Sequence, residues 1–180
     1  LYAAKKCGRG CSRFFTPNMD EEARRRSQIE QELRLALRTN ELELHFQPLI
    51  DVQTMQTKGY ESLLRWRRPN GEIIMPGEFI EIAEATGLII PLGEWVIRTA
   101  IAEAADWPDH ITVAINLSPT QMTNPSLIST VVTSLASTGL DPARVEFEIT
   151  ESVLLEETEL NLKTLHALRD LGVKIAQGEK

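Results

Sequence analysis

Glu61, Asn116 and Glu148 sit on three separate predicted strands, each on the polar side of its strand. Two carboxylates and an amide oxygen form a hard, oxygen-rich donor set that suits Mg²⁺ or Mn²⁺ better than zinc. Arg65 shares the face of Glu61 and adds a planar cation suited to phosphate. A divalent ion beside a phosphate-binding arginine points to phosphoryl-ester chemistry with metal-activated water. Each residue has a plainer reading on its own: Glu61 as a solvated edge residue, Asn116 as the start of a turn, Glu146, Glu148 and Glu151 as a charged exposed face. Those readings weaken because all three strands place the polar group near the same end. His45, His110 and His166 show no ligand spacing, and Trp66, Trp95 and Trp107 read as core or helix-face residues.

The elements that must position these groups follow from periodicity. Glu41 to Pro48 alternates and reads as a strand, and Tyr60 to Trp66 as a second. Glu43, His45 and Gln47 share one face of the first; Glu61, Leu63 and Arg65 share one face of the second. Helices follow at 76–85 and 92–107, then a strand at 111–117, a helix at 125–138, a strand at 144–150, a helix at 156–171 and a strand at 173–176. From the third strand on, strand and helix alternate, which predicts an α/β fold with a parallel sheet. One face of the strands is large and apolar, as a layer of helices requires. The polar groups of the other fall near the strand C-terminal ends, the layout of a (β/α) barrel.

Composition narrows the function classes. The 180 residues are 42% hydrophobic and 25% charged, as in an ordinary globular protein. The net charge of −7 excludes the basic footprint that binding to a nucleic-acid polymer needs. The charge is uneven: residues 1–26 carry seven basic and three acidic side chains, the remainder 12 and 23. The shift predicts a boundary near residues 17–26 and a linker helix over 19–38, with Ile29, Leu33, Leu35 and Leu37 as its apolar positions. Cys7 and Cys11 lack the second half of a zinc site and read as ordinary thiols in a reducing compartment. With no spanning apolar run and no signal peptide, the expectation is a cytoplasmic domain.

Several runs together resemble a known family: Phe46-Gln47-Pro48-Leu49-Ile50-Asp51, Gly59-Tyr60-Glu61-Ser62-Leu63-Leu64-Arg65-Trp66, Pro76-Gly77-Glu78-Phe79-Ile80, Asn116-Leu117-Ser118 and Glu148-Ile149-Thr150-Glu151-Ser152. In order and spacing they resemble the EAL-domain cyclic-di-GMP phosphodiesterases of bacteria, over about residues 27–176. The resemblance implies a TIM-barrel-like (β/α)8 fold and metal-dependent hydrolysis of cyclic di-GMP to linear pGpG. It implies Glu61, Asn116 and Glu148 as ligands of Mg²⁺ or Mn²⁺, and Arg65 as a contact to the ligand's phosphate. It further implies Gln47 and Leu63 as lining of the pocket, and Glu151 as a support of the site. The signature triplet has Ser62 where Ala is usual; that side chain belongs to the outer face and should leave the metal ligand untouched. Leu1 to Gly10 and Arg13-Phe14-Phe15 resemble the last helix and strand of a GGDEF diguanylate cyclase domain, so residues 1–18 read as its remnant, 19–38 as the linker and 39–180 as the N-terminal part of the EAL domain. This implies a tandem parent protein, and a homodimeric state and a membrane tether through upstream regions are further expectations for that parent.

The departure lies at the other end. After Leu-Gly-Val-Lys-Ile-Ala the family continues with two aspartates that complete the metal site; here the chain reads Gln177-Gly178-Glu179-Lys180. The family's downstream catalytic Lys and Glu have no counterpart. The expectation is a C-terminally truncated barrel of about the first five of ~eight strands, with little or no phosphodiesterase activity. The alternative is a non-catalytic cyclic-di-GMP receptor or protein-interaction module.

Overall fold

The computed structural model describes residues 17–149 and 159–178. In chain order it contains α1 (Pro17–Ala36), β1 (Leu42–Ile50), β2 (Thr57–Arg67), β3 (Ile73–Ile74), α2 (Pro76–Thr86), α3 (Ile89–Ala105), β4 (Thr112–Leu117), α4 (Pro119–Met122), α5 (Ser126–Thr138), a 3₁₀ turn (Pro142–Arg144), β5 (Val145–Ile149), α6 (Glu159–Asp170) and β6 (Lys174–Gln177). The strands form one sheet in the order β1-β2-β4-β5-β6, with β3 paired to β2. The expected α/β fold with a parallel sheet is present: β2, β4, β5 and β6 run parallel. The predicted bounds shift by one to three residues at most ends; Thr150 and Glu151 lie outside the described residues, as does the stretch likened to a GGDEF tail before residue 17.

β1 runs antiparallel to β2. The residues between Ile50 and Thr57 are too few for a crossover and suffice only for a hairpin. Asp51 closes that hairpin: its Oδ1 accepts from the backbone N–H of Gln53 (3.0 Å) and Thr54 (2.8 Å), which holds its carboxyl below the usual range. Met55 at the tip has φ 57°, a left-handed conformation. From β2 onward each return is long enough for helices, and the strands become parallel.

Strand alternation divides the sheet as the sequence predicts. Val113, Ile115, Leu117, Val145, Phe147 and Ile149 are buried in a core with α3, α5 and α6. Ala114, Asn116, Glu146 and Glu148 belong to the opposite face, which no described helix covers. Arg144 ties the two ends of this layer together. Buried, it donates from Nε to the Ile111 carbonyl (2.9 Å) and from Nη2 to those of Ala104 (2.8 Å) and Trp107 (3.2 Å). A cation is thereby placed at the C-terminal end of α3 and the turn that follows it.

The helix expected over 19–38 is α1. It starts at Pro17 and ends at Ala36, not at 38, and three of its residues, Ile29, Leu33 and Ala36, are buried with Trp66, Ile74, Phe79 and Leu92 in a second core. Leu35, expected on the apolar stripe, is 58% exposed, because Ala36 takes the position one turn beyond Leu33. Arg25–Glu78 (2.7 Å) and Arg68–Glu32 fasten the same helix to its neighbours. Trp66 meets Phe79 edge to face at 5.6 Å and donates from Nε1 to Glu41 (3.2 Å). α3 begins three residues before the predicted start, since Pro91 falls in its first turn, where a missing N–H costs nothing.

Candidate metal and ligand site

Cross-strand register brings the candidate donors together. Gln47 lies across from Glu61 on β1 and β2, Glu61 across from Ala114 on β4, and Ala114 across from Glu146 on β5. One step toward the strand ends, Asn116 lies across from Glu148, and Glu148 from Ala176. Asn116 reaches diagonally to the neighbouring strand, donating from Nδ2 to Glu61 Oε1 (2.8 Å). Its N–H thus spent on a carboxylate, the amide keeps Oδ1 as an acceptor. Leu63 pairs with His45 and Arg65 with Glu43, on the same face but nearer the end of β2. Arg65 donates one of its five N–H groups, on Nη1, to the Leu64 carbonyl (2.8 Å). Glu151 lies outside the described residues.

Among the described residues, no ion pair joins Glu61, Glu146 or Glu148 to a lysine or arginine. Burial, first, and then the charges of Glu61 and Glu146 push the Glu148 carboxyl above its ordinary range. Such a set favours occupation by a cation.

Gly178 marks where the donors point. It follows β6, its N–H donating to the Ile149 carbonyl (3.0 Å). A Cβ placed on it would lie 3.4 Å from Glu148 Cβ, 3.6 Å from Glu148 Oε2 and 3.7 Å from Asn116 Oδ1. A side chain there would be an ordinary van der Waals neighbour of both oxygen donors. These oxygens fit a hard divalent ion in type. Among the described residues, no group of three or more His, Cys, Asp and Glu side chains able to hold a metal occurs.

Ser62 is on the outer face, as expected, buried and donating from Oγ to the Ala114 carbonyl (2.9 Å). It braces β2 against β4 behind Glu61. Beside the strand ends, a cavity of about 500 Å³ is bordered by Leu63, Ile80, Leu92, Asn116 and Pro119. The sequence reading did not anticipate it, because it is made by α2 and α3 meeting the ends of β2 and β4.

Parallel strands backed by helices, with polar side chains gathered toward the C-terminal strand ends, define a TIM-barrel-like α/β domain. The chain belongs to the EAL domain family, whose model matches residues 30–177. It is homologous to cyclic di-GMP phosphodiesterases, a family that in general depends on a divalent metal. It is 49% identical over 176 residues to the uncharacterized protein y4lL of Sinorhizobium fredii, covering 98% of this chain and 21% of that protein. It is 36% identical over 180 residues to the bifunctional diguanylate cyclase/cyclic di-GMP phosphodiesterase MucR of Pseudomonas aeruginosa, covering 98% of this chain and 26% of that protein. The chain thus spans about a quarter or less of the curated relatives it matches. Among solved structures, the PaMucR phosphodiesterase in its c-di-GMP complex superposes with a TM-score of 0.79 at 35% identity, covering 83% of this chain and 62% of that one. Among the described residues, no helix is long and apolar enough to cross a membrane.

Proposed function

We propose that this chain is the part of an EAL domain that binds cyclic di-GMP beside a divalent cation, Mg²⁺ or Mn²⁺, for hydrolysis to pGpG. The observation that carries this reading is the convergence of Glu61, Asn116 and Glu148, with Asn116 Oδ1 and Glu148 Oε2 both facing the space beside Gly178. Those two oxygens and a Glu61 carboxylate oxygen would hold the ion. When bound, a divalent ion polarises a phosphoryl oxygen and acidifies water. The chain's own residues do the rest. Asn116 fixes the Glu61 carboxylate through its N–H; Glu148 offers a carboxylate oxygen; Arg65 offers a planar cation to a phosphate. Gln47 and Leu63, on the same face, line the place of the ligand, and Glu151 is assigned a supporting role by the family resemblance alone.

The same geometry supports a second statement about turnover. Residue 178 supplies no side-chain oxygen, so the ion is held by three donors from the described residues. Hydrolysis by these 180 residues is therefore slight or nil, and binding without turnover is the behaviour to look for. The relation of residues 1–18 to a GGDEF domain belongs to the same proposal; it is supported by the match to bifunctional MucR over 98% of this chain. A cytoplasmic setting, and a parent that dimerises and is tethered through upstream regions, fit this reading.

Calorimetric titration of the 180-residue chain with cyclic di-GMP, with and without Mn²⁺, tests the proposal beside chromatography of the nucleotides. Mn²⁺-dependent binding with little pGpG is the expected result. Absence of binding with the ion present would overturn the site, and rapid pGpG release would overturn the statement about turnover.

A further inference from the structure

The turn that follows Asn116 is locked to α3 by a contact that neither residue's type announces. Gln121 is only 6% exposed, and its side-chain amide occupies the space a Cβ on Gly93 of α3 would need. A Cβ at residue 93 would fall 1.8 Å from Gln121 Nε2 and 2.6 Å from its Cδ, closer than any atoms can pack. Held there, Gln121 Oε1 accepts from the backbone N–H of Ser118 (3.0 Å), while the Gln121 N–H donates back to Ser118 Oγ (3.4 Å). This reciprocal pair is a capping box, and it begins two residues after Asn116. Close by, Ser126 Oγ donates to Glu94 (2.7 Å), and Thr164 Oγ1 donates to the Met122 carbonyl (2.9 Å). The exit of β4 is thus clamped to α3 and α6, and Asn116 is the last site-facing residue before the clamp.

We infer that Gln121, seated by Gly93, is a positioning residue that fixes the end of β4 and so holds the Asn116 amide between Glu61 and Glu148. The inference rests on the reading of Asn116 as a metal donor. Residues that orient a ligand without touching the ion commonly cost 10–100-fold in metal affinity when altered. Without the Gln121 acceptor, the Ser118 N–H loses its partner, the capping box opens, and Asn116 is free to leave Glu61.

The test uses the full 180-residue chain and three variants: Gly93→Ala, which displaces Gln121; Gln121→Leu, which removes the acceptor; and Gln121→Glu, which keeps an oxygen for Ser118. Two readouts are taken, the NMR signals of the Asn116 side-chain amide and a titration with Mn²⁺ alone. A core variant in α1, Leu33→Ala, controls for general loss of stability. In Gly93→Ala and Gln121→Leu the Asn116 amide should move to the position of a solvated amide and Mn²⁺ affinity should fall about tenfold. Gln121→Glu should stay near the parent on both. Unchanged Asn116 signals in the first two variants would overturn the inference, as would equal changes in Leu33→Ala at matched melting temperature. If the parent itself takes up no Mn²⁺, the metal reading fails by itself, and the Asn116 signals still decide whether Gln121 positions that side chain.

Discussion

Two stretches of the same open face handle negative charge in opposite ways. At β1 and β2, Glu43 accepts from Arg67 Nε (3.1 Å) and Nη2 (2.8 Å) and lies 2.9 Å from His45 Nε2. The Arg67 hydrogen bond, first, and the His45 contact hold the Glu43 carboxyl below its ordinary range. Only a few residues away, across β2, β4 and β5, Glu148 is pushed above that range by burial and by Glu61 and Glu146. The first stretch is complete in itself, a surface ion pair whose partners are covalently part of the fold. The second is incomplete among the described residues, none of which pairs a lysine or arginine with Glu61, Glu146 or Glu148. Both carry strand glutamates on one face; what separates structure from site is whether the described residues supply the counter-charge.

The largest change should come from completing the incomplete stretch. Gly178→Asp places a carboxylate beside Glu148 Oε2 and Asn116 Oδ1, and Mn²⁺ affinity by calorimetry should rise about tenfold or more, a gain of ~1.4 kcal/mol. The same variant should melt lower than the parent without metal, since a further negative charge joins the cluster. An unchanged affinity would break the view that the donors face residue 178.

Next in size is the removal of charge. Glu148→Gln should abolish most Mn²⁺ binding yet raise the metal-free melting temperature at pH 7 by roughly 2 °C. The sign follows from linkage: a carboxyl whose folded pKa is raised binds its proton more tightly when folded. Its contribution is therefore fully present below the ordinary value of 4.5 and is lost as pH rises through the raised value. Melting curves of parent and variant should converge below that pH and separate above it. Glu43→Gln should show the reverse slope. The Glu43 contribution is present above the ordinary value and disappears as pH falls through the lowered one. Its size should be the smallest of the set, under about 1 °C from the parent at neutral pH, because exposed pairs are well solvated.

Much of the site was legible because a strand has a period of two. Once the strands at 60–66, 111–117 and 144–150 were placed, the sharing of a face by Glu61, Asn116 and Glu148 followed. Helix ends were legible at Gly87 and Gly139, both with positive φ. The antiparallel start could have been read from the short Asp51–Gln56 connection. What could not be read were contacts between distant segments. Gly93 and Gln121 are 28 positions apart, and neither periodicity nor residue type joins a helical glycine to a capping glutamine. Arg144 was legible only as the start of a strand, since its three acceptors are carbonyls of other elements. α1 was read as a linker helix from the charge shift near residues 17–26; its packing partners, Trp66 and Phe79, come from later in the chain.

The antiparallel hairpin also has a use. Its tip carries Val52 and Met55, 85% and 76% exposed, and lies at the end of the sheet where β2 begins. At about 3.3 Å per residue along β2, Glu61 is roughly 15 Å away, toward the opposite end. The tip is thus the natural splice point for a reporter: a fluorophore or a short peptide tag inserted between Val52 and Met55 would report on this domain without crowding the carboxylates or the cavity beside them.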